Sequence, residues 1–377
     1  MIKKLIIVLC PFLILFSLIS AGKKNEDDTV ASSYILIESN TKTVLEEYNS
    51  CKRLNVGYLN KLMSLLIIAE DISSGEYTLD TELTASQSVS GIKGSVVWLE
   101  PGDKMNVEEL LKSIIIGNAN DALTVLAERS AGSADEFVMH MNSRAFDLGL
   151  RDTAYFSPYG YYDEREYTTA HDIAIICSEL SKYDFLQPYF KTWRDFVRNG
   201  TVELVNENTL ARTYQHHAGF KAAHSEESGY CIAECGKNED GTAFISVVLG
   251  AESDDDSFKK AKQLINSGFS NYKVTDSYFP DEMIKPIRVK NGEESAVELI
   301  LAKQGNIVVP RGTNSLRIIC VFPEYLNAPI KKGQKIGTAV FYNGKKVVFE
   351  TDVIVKNDVK KISIGFVLEK ILVNMTK

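Results

Sequence analysis

The hydrophobic pattern of this chain changes period twice, and that sequence of changes narrows its fold more than any other feature. Ser33-Tyr34-Ile35-Leu36-Ile37-Glu38 and Lys42-Thr43-Val44-Leu45-Glu46-Glu47 are β-prone runs around Ser39-Asn40-Thr41, which predicts a hairpin. Three- and four-residue spacing then takes over. Leu59, Leu62, Met63, Leu66, Ile67 and Glu70 form one such series, and Val107, Leu110, Leu111, Ile114 and Ile115 form another after a Glu100-Pro101-Gly102-Asp103 turn. Helical spacing continues through 121–131, 134–148 and 169–180. Between them, residues 152–167 are rich in Tyr, Ser, Gly and Pro and read as an extended loop over a surface. Beyond Lys221 the period returns to two. Tyr230-Cys231-Ile232-Ala233 and Phe244-Ile245-Ser246-Val247-Val248-Leu249 flank Asn238-Glu239-Asp240-Gly241, a strong hairpin signal. A helix over 258–269 closes the unit. Strands at both sequence ends with helices between predict an α+β domain whose terminal strands share one antiparallel sheet.

From about Tyr272 the chain turns to short strands without a long helix. Residues 297–301, 316–322, 338–342 and 347–355 are the clearest, with an Asn343-Gly344 turn between the last two. This predicts a small all-β domain over 272–358. The final segment, 359–377, differs again. Ile364, Val367, Leu368, Ile371, Leu372 and Met375 make one apolar stripe, with Glu369, Lys370 and Asn374 opposite. Such a helix either lies on a membrane surface or packs against the β domain.

At 377 residues, two domains are the expectation. The net charge of −8 argues against a nucleic-acid partner. Residues 1–22 have the order of a secretory signal peptide: Lys3-Lys4, an apolar run from Leu5 to Ile19, then Ser20-Ala21-Gly22. The first domain then spans 29–271, and the chain is expected to be exported, acting outside the cytoplasm or on the outer face of its membrane. Of the six cysteines, Cys10 lies in this leader; the odd number remaining gives no disulfide framework. Cys231 and Cys235 share one face of a strand and read as small buried thiols. His216-His217 has no spaced partners and reads as a surface turn, while Asp254-Asp255-Asp256 reads as a solvated loop before a helix. No metal site or cofactor is expected.

Three short stretches carry the chemistry. They are Gly57-Tyr58-Leu59-Asn60-Lys61, Asn118-Ala119-Asn120 and Gly219-Phe220-Lys221-Ala222-Ala223. With Leu99-Glu100-Pro101-Gly102-Asp103, Phe156-Ser157-Pro158-Tyr159-Gly160, Ser228-Gly229-Tyr230-Cys231 and Ala328-Pro329-Ile330-Lys331-Lys332-Gly333, their order resembles the D-alanyl-D-alanine carboxypeptidases. These are low-molecular-mass penicillin-binding proteins of peptidase family S11. The resemblance implies a serine β-lactamase/penicillin-binding-protein-like domain, an antiparallel sheet with a helical subdomain, followed by the small β domain. It also implies three motifs, S-x-x-K, S-x-N and K-T-G. In that family a serine attacks the peptide carbonyl and a lysine one helical turn later takes its proton. The S-x-N serine relays a proton, its asparagine orients the substrate amide, and the K-T-G strand holds the terminal carboxylate.

Carried over by position, Lys61, Asn120 and Lys221 match. Tyr58 stands at the nucleophile, Asn118 at the relay serine, Ala222 at the threonine and Ala223 at the glycine. A tyrosine oxygen lies several ångströms farther from the backbone on a rigid ring, and attack geometry tolerates only about an ångström. Asn118 cannot relay a proton as a hydroxyl does. Ser64 and Ser225 offer no obvious replacement. The expectation is a non-catalytic homologue whose Lys61, Asn120, Lys221, Ala222 and Ala223 line a cleft for a peptidoglycan stem peptide or a protein partner. Retained Lys61 and Lys221 would keep that cleft electropositive and suited to a carboxylate, or Lys61 would serve only to satisfy a buried polar cluster with Asn118 or Asn120. The alternatives are residual carboxypeptidase activity and a membrane-associated scaffold.

Overall fold

A five-stranded antiparallel sheet joins the two ends of the first unit. In the computed structural model, which describes residues 30–277, 285–313 and 315–375, its strands are β1 (Ala31–Glu38), β2 (Val44–Tyr48), β3 (His217–Ser225), β4 (Gly229–Lys237) and β5 (Ala243–Ala251). Their order is β2-β1-β5-β4-β3, so the N-terminal hairpin pairs with the distant β5, Ile35 opposite Val247 and Ile37 opposite Ile245. The leader read at residues 1–22 lies outside the described residues.

The sheet explains why β1 and β5 read as nearly continuous apolar runs. Both of its faces are covered, as in other doubly buried sheets. Ile35, Ile37, Ile245, Val247 and Leu249 point to the core of the helical subdomain. Leu36, Phe244 and Val248 point the other way, onto Phe258, Ala261, Leu264 and Ile265. These last residues belong to the long helix Asp254–Asn271.

The helical subdomain contains α1 (Lys61–Ser74), α2 (Val107–Ile115), α3 (Asn120–Ala131), α4 (Ala134–Asp147) and α5 (Ala170–Leu180); the long Asp254–Asn271 helix is α6. Their starts are written locally. The side chains of Asn106, Ser133, Thr169 and Ser253 each accept a hydrogen bond from the backbone N–H three residues on, satisfying a donor that the helix leaves open. Asp254-Asp255-Asp256 is therefore no loop but the first turn of α6, where carboxylates face the positive end of the helix dipole.

The loop 152–167 is also not superficial. Tyr155, Tyr159 and Glu166 are buried, and the loop forms one wall of the site below. His217 is likewise buried on β3 instead of turning at the surface. Its Nδ1 pairs with Glu234 Oε1 at 2.7 Å, and its Nε2 lies 3.0 Å from the main-chain carbonyl oxygen of Phe190. Burial works against protonating His217, but the Glu234 carboxylate overrides it and holds its pKa above the ordinary value. Cys231 and Cys235 are buried as read, with burial pushing their thiols up to about 11 and about 12.

The remaining chain builds a separate apolar cluster from Ile287, Val289, Leu299, Leu301, Ile307, Ala339, Phe341 and Val353, among others. Its largest sheet orders the strands Leu299–Leu301, Lys346–Val355, Lys335–Asn343 and Arg317–Val321. The terminal helix α7 (Ile364–Met375) follows. Its stripe is exposed, Ile364 at 83%, Leu368 at 55% and Met375 at 79%, so it is not buried against the β domain.

Candidate active site

Tyr58 sits in a single 3₁₀ turn, Gly57–Asn60, that runs directly into α1. The turn is held from three sides. Gly57 has φ +53°, and its N–H donates to Asn55 Oδ1 at 3.1 Å. Gly160, φ +79°, lies so close that a Cβ there would stand 2.1 Å from the Gly57 carbonyl oxygen. Asn60 Nδ2 donates to Glu166 Oε1 at 2.5 Å.

Glu166 also accepts from the N–H groups of Phe156 and Ser157, at 2.9 and 3.1 Å. One buried carboxylate thus ties the start of α1 to the loop carrying Gly160. Burial raises its pKa to about 7 against the opposing pull of these donors. Sequence reasoning passed over Glu166, because Asp163-Glu164-Arg165-Glu166 looks like a solvated charge run.

Lys61 is the first residue of α1 and is fully buried. Its ammonium donates to the main-chain carbonyl of Asn118 at 2.5 Å and lies 4.7 Å from the centroid of the Tyr58 ring. The ring, not the hydroxyl, meets the lysine, a cation–π contact. Burial holds the Lys61 pKa well below the ordinary lysine range, and the positive charge of Lys221 pushes it further the same way.

Asn118 precedes α3 with φ +57°, a left-handed conformation that asparagine tolerates better than most residues. Asn120 begins α3. Its N–H donates to Ser95 O at 2.7 Å, and its Nδ2 donates to Lys93 O at 2.7 Å and to the Tyr161 hydroxyl at 3.2 Å. Asp121, next along, accepts from the N–H groups of Val97 and Leu99, fixing loop 93–99 over the site. The Tyr58 hydroxyl reaches this loop, since a Cβ on Gly94 would lie 3.3 Å from it and 2.7 Å from Asn120 Nδ2.

Lys221 lies on β3 and reaches the C-terminal end of α2. It donates to the carbonyls of Ile114 and Ile115 at 3.0 and 2.8 Å, supplying a cation where helix carbonyls lack partners. Burial lowers its pKa to about 8, with Glu207 acting in the opposite sense. Ala222 opposes Ile232 and joins the cluster on the α6 side. Ala223 opposes Cys231 and joins the helical-subdomain cluster. Both methyls are buried, and neither side chain offers a polar group.

The three motif stretches therefore converge, but both lysines are buried and turned to main-chain carbonyls, so neither presents an open ammonium. Ser64 is no substitute nucleophile, being fully buried and donating to Pro158 O at 3.0 Å. Ser225 lies at the far end of β3, its Oγ 2.9 Å from Ser228 Oγ. No cluster suited to a metal ion occurs among the described residues.

Comparison with known proteins places this geometry. A family model described as D-alanyl-D-alanine carboxypeptidase matches residues 20–253, and one described as penicillin-binding protein 5, C-terminal domain, matches residues 272–361. The chain is 32% identical over 352 residues to D-alanyl-D-alanine carboxypeptidase DacF of Bacillus subtilis (strain 168), covering 92% of this chain and 90% of the relative. It is 29% identical over 338 residues to DacC of Escherichia coli (strain K12), covering 87% and 84%. Among solved structures, penicillin binding protein 5 from Haemophilus influenzae superposes with a TM-score of 0.81 at 25% identity, over 88% of this chain and 98% of that one.

Proposed function

The chain belongs to the D-alanyl-D-alanine carboxypeptidase family, and from that premise we propose that it is an exported member that binds without cutting. Its ligand on this reading is a peptidoglycan stem peptide or a partner protein seated along β3. One observation carries the proposal: the Tyr58 ring lies on Lys61 at 4.7 Å, where family chemistry requires a small hydroxyl within reach of that amine. Acyl transfer needs the nucleophile's oxygen and its base in hydrogen-bond contact. Here the base meets a π face, and its ammonium is committed to Asn118 O.

Two assays on the purified protein test this. A fluorescent penicillin should leave no covalent label; a stable, hydroxylamine-resistant band sinks the proposal. D-Alanine release from a pentapeptide should not exceed that of Lys61→Ala, and release abolished by that substitution would establish residual activity.

A second reading, a membrane-associated scaffold, is favoured by α7. Its apolar stripe is exposed, while no helix among the described residues is long and apolar enough to cross a membrane. Removing residues 359–377 should then release the protein from anionic vesicles, and unchanged vesicle binding counts against it.

A further inference from the structure

The side-chain amide of Asn120 is only half satisfied, and its partner is the chain's own loop. Its Nδ2 donates to Lys93 O at 2.7 Å and to the Tyr161 hydroxyl at 3.2 Å. Its Oδ1 is buried without a hydrogen-bond partner among the described residues. Turning the amide round is no cure, since Oδ1 would then face Lys93 O. A buried acceptor without a donor costs free energy and calls for an explanation. Tyr161 completes the contact from the loop 152–167, its hydroxyl donating to the same Lys93 O at 2.7 Å. The Tyr58 hydroxyl closes the cluster, 3.3 Å from where a Cβ on Gly94 would stand.

The segment that delivers Lys93 O is lightly held. Gly91 and Gly94 bracket Ile92 and Lys93, both at positive φ, +80° and +84°, and Gly91, Lys93 and Gly94 are exposed. Among the described residues, its hydrogen bonds to the cleft run to one atom, Lys93 O. One more, Ile92 N–H to Val89 O at 3.4 Å, stays within the loop. Ile92, half-buried against the core, gives the remaining hold. Beyond Gly94 the anchoring multiplies: Ser95 O accepts from Asn120 N–H, and Asp121 accepts from Val97 and Leu99 N–H.

We infer that residues 91–94 are a flap that occupies the cleft as a self-ligand, so that a peptide must displace Lys93 O from Asn120 in order to bind. This rests on the reading that the groove binds a peptide. A peptide main chain carries both groups that Asn120 needs, a carbonyl for Nδ2 and an N–H for Oδ1, whereas the flap supplies only the first. The exchange favours the ligand by the bond that Oδ1 gains, and the Tyr161 hydroxyl is the latch that opposes it.

Trypsin reads the flap directly, because Lys93 is exposed and cutting after it needs the segment drawn away from Asn120 and Tyr161. Cleavage at Lys93, followed by mass spectrometry, tracks the open fraction when reclosing is fast. Tyr161→Phe removes one donor to Lys93 O, and Gly94→Ala puts a methyl 2.7 Å from Asn120 Nδ2. Each should raise cleavage at Lys93 about fivefold, the worth of one hydrogen bond, with cleavage at other sites unchanged. A fluorescein-labelled pentapeptide ending in D-Ala-D-Ala, read by anisotropy, should bind more tightly by the same factor in each variant, since apparent affinity scales with the open fraction. Faster cleavage with unchanged peptide affinity in both variants overturns the inference and leaves peptide binding standing. Cleavage at Lys93 that neither variant raises, or that rises only together with cleavage elsewhere, overturns it as well. Faster cleavage with no peptide bound by wild type or either variant overturns the peptide reading, and the inference with it.

Discussion

Gly160 is where the integrity of the Tyr58 turn is most open to measurement. Two glycines with nearly the same φ make the comparison: Gly160 at +79° and Gly241 at +86°. A Cβ at Gly241 meets nothing within 4 Å, whereas at Gly160 it falls 2.1 Å from Gly57 O, 2.6 Å from Gly57 C and 3.1 Å from Tyr58 Cα. Both alanine substitutions carry the left-handed penalty of about 1–2 kcal/mol. Only Gly160→Ala must also displace main chain, not a flexible side-chain tip, which adds about 1–3 kcal/mol. Gly160→Ala should therefore cost about 3 kcal/mol in total, and Gly241→Ala only the conformational share. Both tryptophans, Trp98 and Trp193, precede residue 272, so urea unfolding followed by tryptophan fluorescence reports on the domain that holds the site. Losses for the two variants that agree within about 0.5 kcal/mol would refute the claim that this contact fixes the turn.

Other outcomes follow from the same geometry. Glu166 has a folded pKa of about 7, raised from 4.5. The stability of its neutral form is therefore fully present below about pH 4.5 and lost as pH rises through 7, by up to about 3 kcal/mol. Glu166→Gln should flatten the stability profile across that window, and profiles that run parallel would count against the assignment. Amine-reactive labelling read by peptide mass spectrometry should spare Lys61 and Lys221 in the wild type, both being at most 2% exposed. Tyr58→Ala should raise labelling at Lys61 alone; equal rises at both lysines would show general loosening instead. Ser253→Ala removes the cap whose Oγ accepts from Asp256 N–H at 3.2 Å and should cost about 1 kcal/mol by urea titration, whereas no measurable loss would mean that water replaces it.

The elements were legible because they depend on neighbours in sequence. The hairpin turn at residues 238–241 and the three-four spacing from Leu59 to Ile67 each act within a few residues. Motif order was legible for the same reason, and it pointed to the family that the comparisons show. What failed to read was polar direction. Asp254-Asp255-Asp256 looked like loop because its cap at Ser253 was overlooked. His217 and Glu166 looked solvated because their partners, Glu234 and Asn60, lie 17 and 106 residues away.

The site divides along the same line. Sequence by itself determined which residues stand at the motif positions, where the family resemblance sets Tyr58 and Asn118 against serines, Ala222 against a threonine and Ala223 against a glycine. It could not determine what the retained lysines do. A lysine side chain has several rotatable bonds and takes its direction from whatever acceptor the fold brings near. The fold brings the end of α2 within reach of Lys221, which donates to the Ile114 and Ile115 carbonyls, and the turn before α3 brings Asn118 O to Lys61 under the Tyr58 ring. The sequence suggested a positively charged receptor; tertiary structure turned both lysines inward, because the acceptors they meet are main-chain carbonyls that only folding brings within reach.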